Sequence, residues 1–279
     1  MDLYTVEAYL KPQSLQEINW QPGYALLAGG TWIFNEPQPH INTLVDMQQL
    51  GWAELEIAKR GLGIGAMCLQ NTLLDFSFPQ DWTAAELLKD AVRELASFKL
   101  SNEATVGGNI CLALSASTFA PVTVALNASY EIWSLQGEPR IVKALDFQQA
   151  PQRTILQPGE VLRKIWIPAE NLTGWQTSFK RMAVSTAGYA IATVASAYNE
   201  ATQQLRFGIA GSVMAPCLIE FASPPNETEL AIALDAQIPS QHYLNNDRAS
   251  ADYRRHITQF LMQRTLTDLT TGAQTSRRF

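Results

Sequence analysis

Apolar residues recur at helical spacing most clearly between residues 83 and 95. Thr83 and Glu86 fit the capping box, in which a hydroxyl and a carboxyl group three residues apart satisfy each other's backbone donors. The pattern predicts a helix that begins near Thr83 and leads into the stretch "ASFKLSNEATVGGNICLALSAS". Its buried face would carry Ala84, Leu87, Leu88, Ala91, Val92 and Leu95.

Short apolar runs and alternating patterns predict strands on both sides of this helix. The runs "YALLA", "NTLVDM" and "GLGIGAM" precede it, and "PGEVLRKIWIP" ends in an alternating strand closed by Pro168. A short helix and two strands joined at Gln136–Gly137 are expected over "FAPVTVALNASYEIWSLQGEPRIV". A second capping box, Ser14 with Glu17, predicts a helix start near Ser14.

The last third of the chain predicts long strands joined at "YNEATQQ", a loop at "EFASPPNETE" and a closing amphipathic helix. In that helix, "ADYRRHITQFLMQRTL", we expect Tyr253, Ile257, Phe260 and Leu261 to point inward.

The composition is typical of a folded globular protein and argues against several classes of function. Of the 279 residues, 47% are hydrophobic and 16% are charged, and the length favours two domains. The net charge of −6 offers no basic field for nucleic acid or anionic membranes. No apolar run reaches the roughly 20 residues of a membrane span, and the N-terminus has no signal-peptide pattern, so we expect a cytoplasmic protein.

Cysteine and histidine spacing does not indicate a metal site. Cys68, Cys111 and Cys217 form no C-x-x-C pair, so we expect reduced, buried thiols. No H-x-x-x-H spacing occurs among the histidines, which are His40, His242 and His256.

Two glycine pairs, Gly29–Gly30 and Gly107–Gly108, interrupt the apolar pattern, each with a threonine nearby, Thr31 and Thr105. Exposed N–H groups in a glycine turn bind anions, so the two pairs together could hold a diphosphate. Neither G-x-G-x-x-G nor G-x-x-x-x-G-K-[ST] occurs, which argues against a standard nucleotide fold. The residues alone leave two interpretations open, a phosphate site or ordinary turns.

Five blocks along the chain resemble one family in order and spacing. They are "LLAGGTWI", "ATVGGNI", "FAPVTVALNASYEIWS", "LQPGEVLRKIWIP" and "SFKRMAVSTAGYAIATVASAY", followed by the tail "DRASADYRRHITQFLMQRTL". The family is the FAD-binding (medium) subunit of molybdenum hydroxylases, the xanthine dehydrogenase and carbon monoxide dehydrogenase flavoproteins. The resemblance covers nearly the whole chain.

The resemblance implies an α+β fold in two domains. A vanillyl-alcohol-oxidase-type (PCMH) FAD-binding domain would span residues 1–172, with subdomains of about 1–57 and 58–172. A smaller α+β flavoprotein C-terminal domain would span residues 173–279. Pro168, Asn171 and Gly174 cluster at this expected boundary.

The resemblance also implies the residues that bind FAD. The two glycine turns would clasp its diphosphate from two sides, and Leu162 and Lys180 would lie near the flavin. We expect noncovalent binding because the first turn has no His or Cys. The implied contacts are Leu27, Ala28, Gly29, Gly30, Thr31, Trp32, Ile33, Thr105, Val106, Gly107, Gly108, Asn109, Thr118, Leu162 and Lys180.

Several positions depart from the family's pattern. Trp32 replaces an Asp after the first turn, Ser115 replaces a proline, and Thr118 replaces an acid expected near the flavin. A later R-x-x-x-D pattern is replaced by "VSTAGYA". These changes affect the surroundings of the flavin ring more than the diphosphate turns.

By resemblance, the chain passes electrons from [2Fe-2S] clusters of a small subunit through FAD to an external acceptor. A large molybdopterin subunit would carry out substrate hydroxylation, so no catalytic acid or base is expected in this chain. Two other hypotheses are a flavin-free scaffold subunit and a standalone flavin oxidase or dehydrogenase. The sequence identifies neither the substrate nor the acceptor.

Overall fold

The computed structural model describes residues 3–95, 98–135, 138–185 and 188–271. The chain begins with a three-stranded parallel sheet in which β3 lies between β1 and β2. The first glycine pair begins two residues after the end of β2, because Leu27 is the last residue of that strand and Ala28 follows it. The strands are β1 (Ala8–Leu10), β2 (Tyr24–Leu27) and β3 (Thr43–Asp46).

The helix expected near Ser14 is a single 3-10 turn at Leu15–Glu17. The Glu17 carboxylate accepts hydrogen bonds from Ser14 Oγ at 3.1 Å and from Gln13 N at 3.0 Å. Ile18 is already extended, so the turn does not continue into a helix.

A five-stranded antiparallel sheet forms the centre of the first half of the chain, in the order β4-β5-β10-β6-β7. The central strand, β10, pairs with β5 and β6 and has an irregularity between Leu162 and Lys164. The turn expected at Gln136–Gly137 lies outside the described residues. The strands are β4 (Leu55–Ala58), β5 (Gly61–Gly65), β6 (Ser129–Ser134), β7 (Arg140–Lys143) and β10 (Glu160–Pro168), with a small hairpin of β8 (Gln148–Ala150) and β9 (Arg153–Thr154).

Five helices connect β5 to β6: α1 (Thr72–Asp75), α2 (Glu86–Arg93), α3 (Phe98–Glu103), α4 (Val106–Leu112) and α5 (Phe119–Ala125). The periodicity correctly predicts α2 and its buried face, on which Leu87, Leu88 and Ala91 are inaccessible to solvent. The prediction of a capping box at Thr83 is wrong. Thr83 Oγ1 instead donates to the backbone oxygen of Trp175 at 2.7 Å, and a 3-10 turn at Thr83–Ala85 leads into α2.

The second half of the chain is a four-stranded antiparallel meander with two helices. Helix α7 packs against β11 and β12, whereas α5 packs against β12 and β13. The meander therefore lies between a helix of its own half and a helix of the first half. Its elements are β11 (Trp175–Ala183), β12 (Ala190–Asn199), β13 (Leu205–Ala210), β14 (Cys217–Phe221), α6 (Glu227–Gln237) and α7 (Ala251–Thr270).

The domain boundary near residue 172 stays a prediction. One hydrophobic cluster contains Phe119 and Leu172 from the first half and also Phe179, Ala195 and Ala197 from the meander. The two sheets are separate, but the hydrophobic core is shared between them.

Two predictions for the C-terminal helices are corrected. The expected loop "EFASPPNETE" contains the start of α6, which Asn226 caps through a complete capping box with Glu229. In α7, Ile257 and Leu261 are buried as expected, but Tyr253 and Phe260 are 49% and 43% exposed.

A buried arginine explains the orientation of α7. The Arg254 guanidinium donates to the backbone oxygens of Ile191 and Gly211 at 2.7 and 2.8 Å, and to Asn246 Oδ1 at 2.8 Å. Since Arg254 faces the meander, its neighbour Tyr253 turns outward. Among the described residues, no helix combines the length and apolar character needed to cross a membrane.

Candidate functional site

A cavity of about 700 Å³ lies between the parallel sheet, the start of α4 and strand β10. Both glycine turns meet in its wall, although about 75 residues separate them in sequence. The wall includes all but three of the residues implied by the resemblance. The twelve implied residues that line the cavity are Leu27, Ala28, Gly29, Gly30, Thr31, Trp32, Ile33, Thr105, Gly107, Gly108, Asn109 and Leu162.

The first turn lies in the cavity wall and has backbone donors without a protein acceptor. The amide groups of Gly29–Trp32 donate to no acceptor among the described residues, whereas those of Phe34 and Asn35 bond back to Gly30 O and Trp32 O. We name Gly29–Trp32 the donor turn. Consecutive free N–H groups of this kind bind anions such as phosphate.

Each glycine of the donor turn is required for a different structural reason. A Cβ atom on Gly29 would overlap the backbone oxygen of Glu103, so Gly29 allows the donor turn to touch the end of α3. Gly30 has a φ angle of +71°, a conformation that favours glycine.

The second turn uses its donors inside the protein. Gly108 N donates to Thr105 Oγ1 at 2.9 Å, which caps α4, and Gly107 N donates to Ala66 O at 3.0 Å. A Cβ atom on Gly107 would lie 2.6 Å from Ala66 O. Gly107 is therefore required by the approach of α4 to the segment after β5. Of the two turns, the first carries the free backbone donors.

Three implied contact residues lie away from the cavity wall. Val106 is buried, and its N–H donates to Cys68 O at 2.9 Å. Thr118 is 6% exposed at the start of α5, and its Oγ1 has no partner among the described residues. Lys180 lies on β11, where its Nζ is 2.8 Å from Asp268 Oδ2 on α7. None of these three residues lines the cavity.

Gln70 and Cys111 are among the wall residues that sequence reasoning missed. Cys111 lies three residues after Gly108, one helical turn along α4, and this spacing could have indicated it. Burial raises the pKa of its thiol to about 12, so the sulfur is neutral at physiological pH. Gln70 has no sequence signal beyond being polar in an apolar stretch.

The cavity is mainly apolar and has little charge. Glu36 and His40 are the charged or titratable wall residues other than Cys111, and both are exposed. No Lys or Arg of the described residues lines the cavity. An anionic ligand would therefore be held by backbone N–H groups rather than by ion pairs. The apolar wall, which suits flat aromatic rings, includes Leu26, Ile41, Met47, Leu112, Leu156 and Val161.

Comparison with known proteins identifies the family. Residues 5–170 match the family described as the FAD binding domain in molybdopterin dehydrogenase. The chain belongs to this family. Among relatives of this FAD-binding domain family, the glyceraldehyde dehydrogenase medium chain of Sulfolobus acidocaldarius is 30% identical over 200 residues, or 68% of this chain and 69% of that one.

A further relative matches over most of its length, and a solved structure shares the fold. The xanthine dehydrogenase FAD-binding subunit of Escherichia coli O157:H7 is 27% identical over 269 residues, 90% of each chain. A solved structure of reconstituted CO dehydrogenase from Oligotropha carboxidovorans superposes with a TM-score of 0.82 at 21% identity, covering 95% of this chain and 97% of that one. The expected α+β fold with a PCMH-type FAD-binding part is confirmed.

The residues present fit the cofactor of the family. FAD combines a diphosphate with two aromatic ring systems, and the cavity combines the donor turn with a mainly apolar wall. The wall groups that would face an anion are N–H donors, with no carboxylate within the donor turn.

Proposed function

We propose that this chain is the FAD-binding medium subunit of a molybdenum hydroxylase-type oxidoreductase and holds FAD noncovalently in the cavity. The observation that carries the proposal is the donor turn, whose four N–H groups from Gly29 to Trp32 donate to no acceptor among the described residues. When bound, FAD supplies the electron-carrying chemistry, and the protein places and shields it.

The chain's own residues divide this work. The donor turn binds the diphosphate, and Thr105 holds α4 in position beside it through the hydrogen bond to Gly108 N. Val161 and Leu162 exclude water from the opposite wall. The twelve wall residues named above are the proposed FAD contacts. Lys180 is not among them, since its Nζ pairs with Asp268.

The proposed partners are a small [2Fe-2S] subunit and a large molybdopterin subunit, with electrons leaving to an external acceptor. Relatives named as medium chains or FAD-binding subunits support this assembly. The described residues contain no group of His, Cys, Asp or Glu side chains that could hold a metal ion.

Two experiments test the proposal. The purified chain should show visible flavin absorption or recover it with added FAD, and it should purify as a heteromer when it is co-expressed with the two partner subunits. A chain that binds no FAD would support the scaffold hypothesis. A chain that oxidises a small substrate alone at ordinary enzymatic rates would support the standalone enzyme.

A matched pair of variants tests the donor turn itself. Thr31→Pro removes one free N–H, whereas Thr31→Ala removes the hydroxyl and keeps that donor. We expect Thr31→Pro to weaken FAD binding by about tenfold, the value of one charge-assisted hydrogen bond, and Thr31→Ala to weaken it less. Equal affinities in the two variants would contradict the assignment.

A further inference from the structure

The Gln70 side chain is held rigidly in the cavity wall. It is 1% exposed, and its Nε2 donates to the backbone oxygen of Thr105 at 3.1 Å. Its own backbone N–H donates to Ala104 O at 2.9 Å. Both bonds tie Gln70 to the segment that precedes α4.

This geometry determines which end of the amide is free. A backbone oxygen only accepts, so the nitrogen of the Gln70 amide must face Thr105 and the oxygen must face away from it. Gln70 Oε1 is buried and has no donor among the described residues. Because an unpaired buried carbonyl is costly, the cavity's ligand is the natural source of a donor.

We infer that Gln70 contacts FAD and helps to position it. In this arrangement, Gln70 Oε1 accepts a hydrogen bond from a hydroxyl group of FAD next to the diphosphate. The inference rests on the proposed function. A diphosphate has only acceptor atoms and cannot satisfy Oε1. The hydroxyl groups of the ribityl chain and of the ribose flank the diphosphate on its two sides, and both are donors.

The test compares two buried glutamines. Gln148 is 6% exposed and its Nε2 donates to Ala113 O at 3.0 Å, but Gln148 is not part of the cavity wall. Each backbone oxygen still accepts a second hydrogen bond when the glutamine side chain is removed. Asn109 N donates to Thr105 O, and Gln152 N donates to Ala113 O. Gln148 Nε2 also donates to Ala150 O at 3.5 Å, so Gln148→Met removes at least the amide bond that Gln70→Met removes, but away from the cavity wall.

FAD affinity is measured by titrating the full-length apoprotein and following flavin fluorescence. We expect Gln70→Met to raise the Kd about tenfold, as for the loss of one hydrogen bond of about 1.4 kcal/mol, and Gln148→Met to leave it within about twofold. An unchanged Kd in Gln70→Met, or an equal loss in both variants, would overturn the inference. Failure of the wild-type chain to bind FAD would instead overturn the proposed function.

Fragments of the cofactor identify the hydroxyl. FMN carries the ribityl chain without the ribose, and ADP carries the ribose without the ribityl chain. A loss of affinity for FMN alone assigns the bond to the ribityl chain, and a loss for ADP alone assigns it to the ribose. If Gln70→Met weakens FAD binding and changes neither fragment, a direct hydrogen bond is excluded and the inference is wrong.

Discussion

Gly29 lies directly against the backbone oxygen of Glu103, with no room for a Cβ atom between them. This contact joins the turn after β2 to the end of α3, just before α4, and so brings together the two sides of the cavity. The relationship is between two backbone segments and exists without any ligand.

Gly29→Ala should therefore destabilise the apoprotein. The added methyl group meets backbone that cannot rotate away, and we expect a loss of about 3 kcal/mol in the free energy of unfolding, as for overpacked cores. The control is Gly51→Ala, where nothing lies within 4 Å and only the φ angle of +71° is unfavourable. It should cost about 1 kcal/mol. Urea unfolding of both apoproteins decides the matter, and equal losses would show that the Gly29 contact relaxes freely.

Thr105→Val should uncap α4. The change keeps the shape of the buried side chain but removes the Oγ1 that accepts from Gly108 N. We expect a loss of about 1 kcal/mol in the free energy of unfolding, and Thr105→Ser should recover most of it because serine caps helices equally well. If Val and Ser variants unfold at the same urea concentration, the cap does not contribute to stability.

Lys180→Met should leave FAD affinity unchanged. The Lys180 ammonium pairs with the Asp268 carboxylate, so its loss affects the contact between β11 and α7. Since Lys180 is 37% exposed, we expect a stability change below about 1 kcal/mol. Fluorescence titration with FAD checks the prediction. A tenfold rise in Kd would show that Lys180 contributes to FAD binding after all.

The three thiols should react slowly in the folded protein. Burial raises the pKa of Cys111 and Cys68 to about 12 and that of Cys217 to about 11. Burial disfavours the charged thiolate, so reactivity stays low at pH 8 and rises only as the pH approaches 11. A thiol-reactive dye should label all three cysteines quickly only after unfolding in guanidinium. Rapid labelling of the native chain at pH 8 would contradict this.

The neutral Cys111 thiol also bears on how FAD is held. We expect acid precipitation of the holoprotein to release all flavin into the supernatant, because a neutral thiol does not attack the ring. Flavin that remains with the wild-type precipitate but not with that of Cys111→Ser would show a covalent link.

Local patterns determined a large part of this protein. The periodicity between residues 83 and 95 identified α2 and its buried face, because a repeat of three and four residues fits one helix wherever the helix packs. The glycine pairs identified the two turns of the cavity, because glycine is the residue that allows positive φ angles and close backbone approach. Ser14 and Thr83 correctly indicated where helical turns begin, but neither side chain forms the hydrogen bond of a capping box.

Tertiary structure alone decided which partner each side chain meets. Lys180 pairs with a residue 88 positions away, and Thr83 bonds to Trp175 across the two halves of the chain. Gln70 reaches the cavity because the segment after β5 lies beside the start of α4, and Tyr253 faces out because the buried Arg254 satisfies backbone oxygens of the meander. A periodic pattern specifies a face of one element, but long-range packing selects the atoms opposite it, and those contacts leave no trace in local sequence.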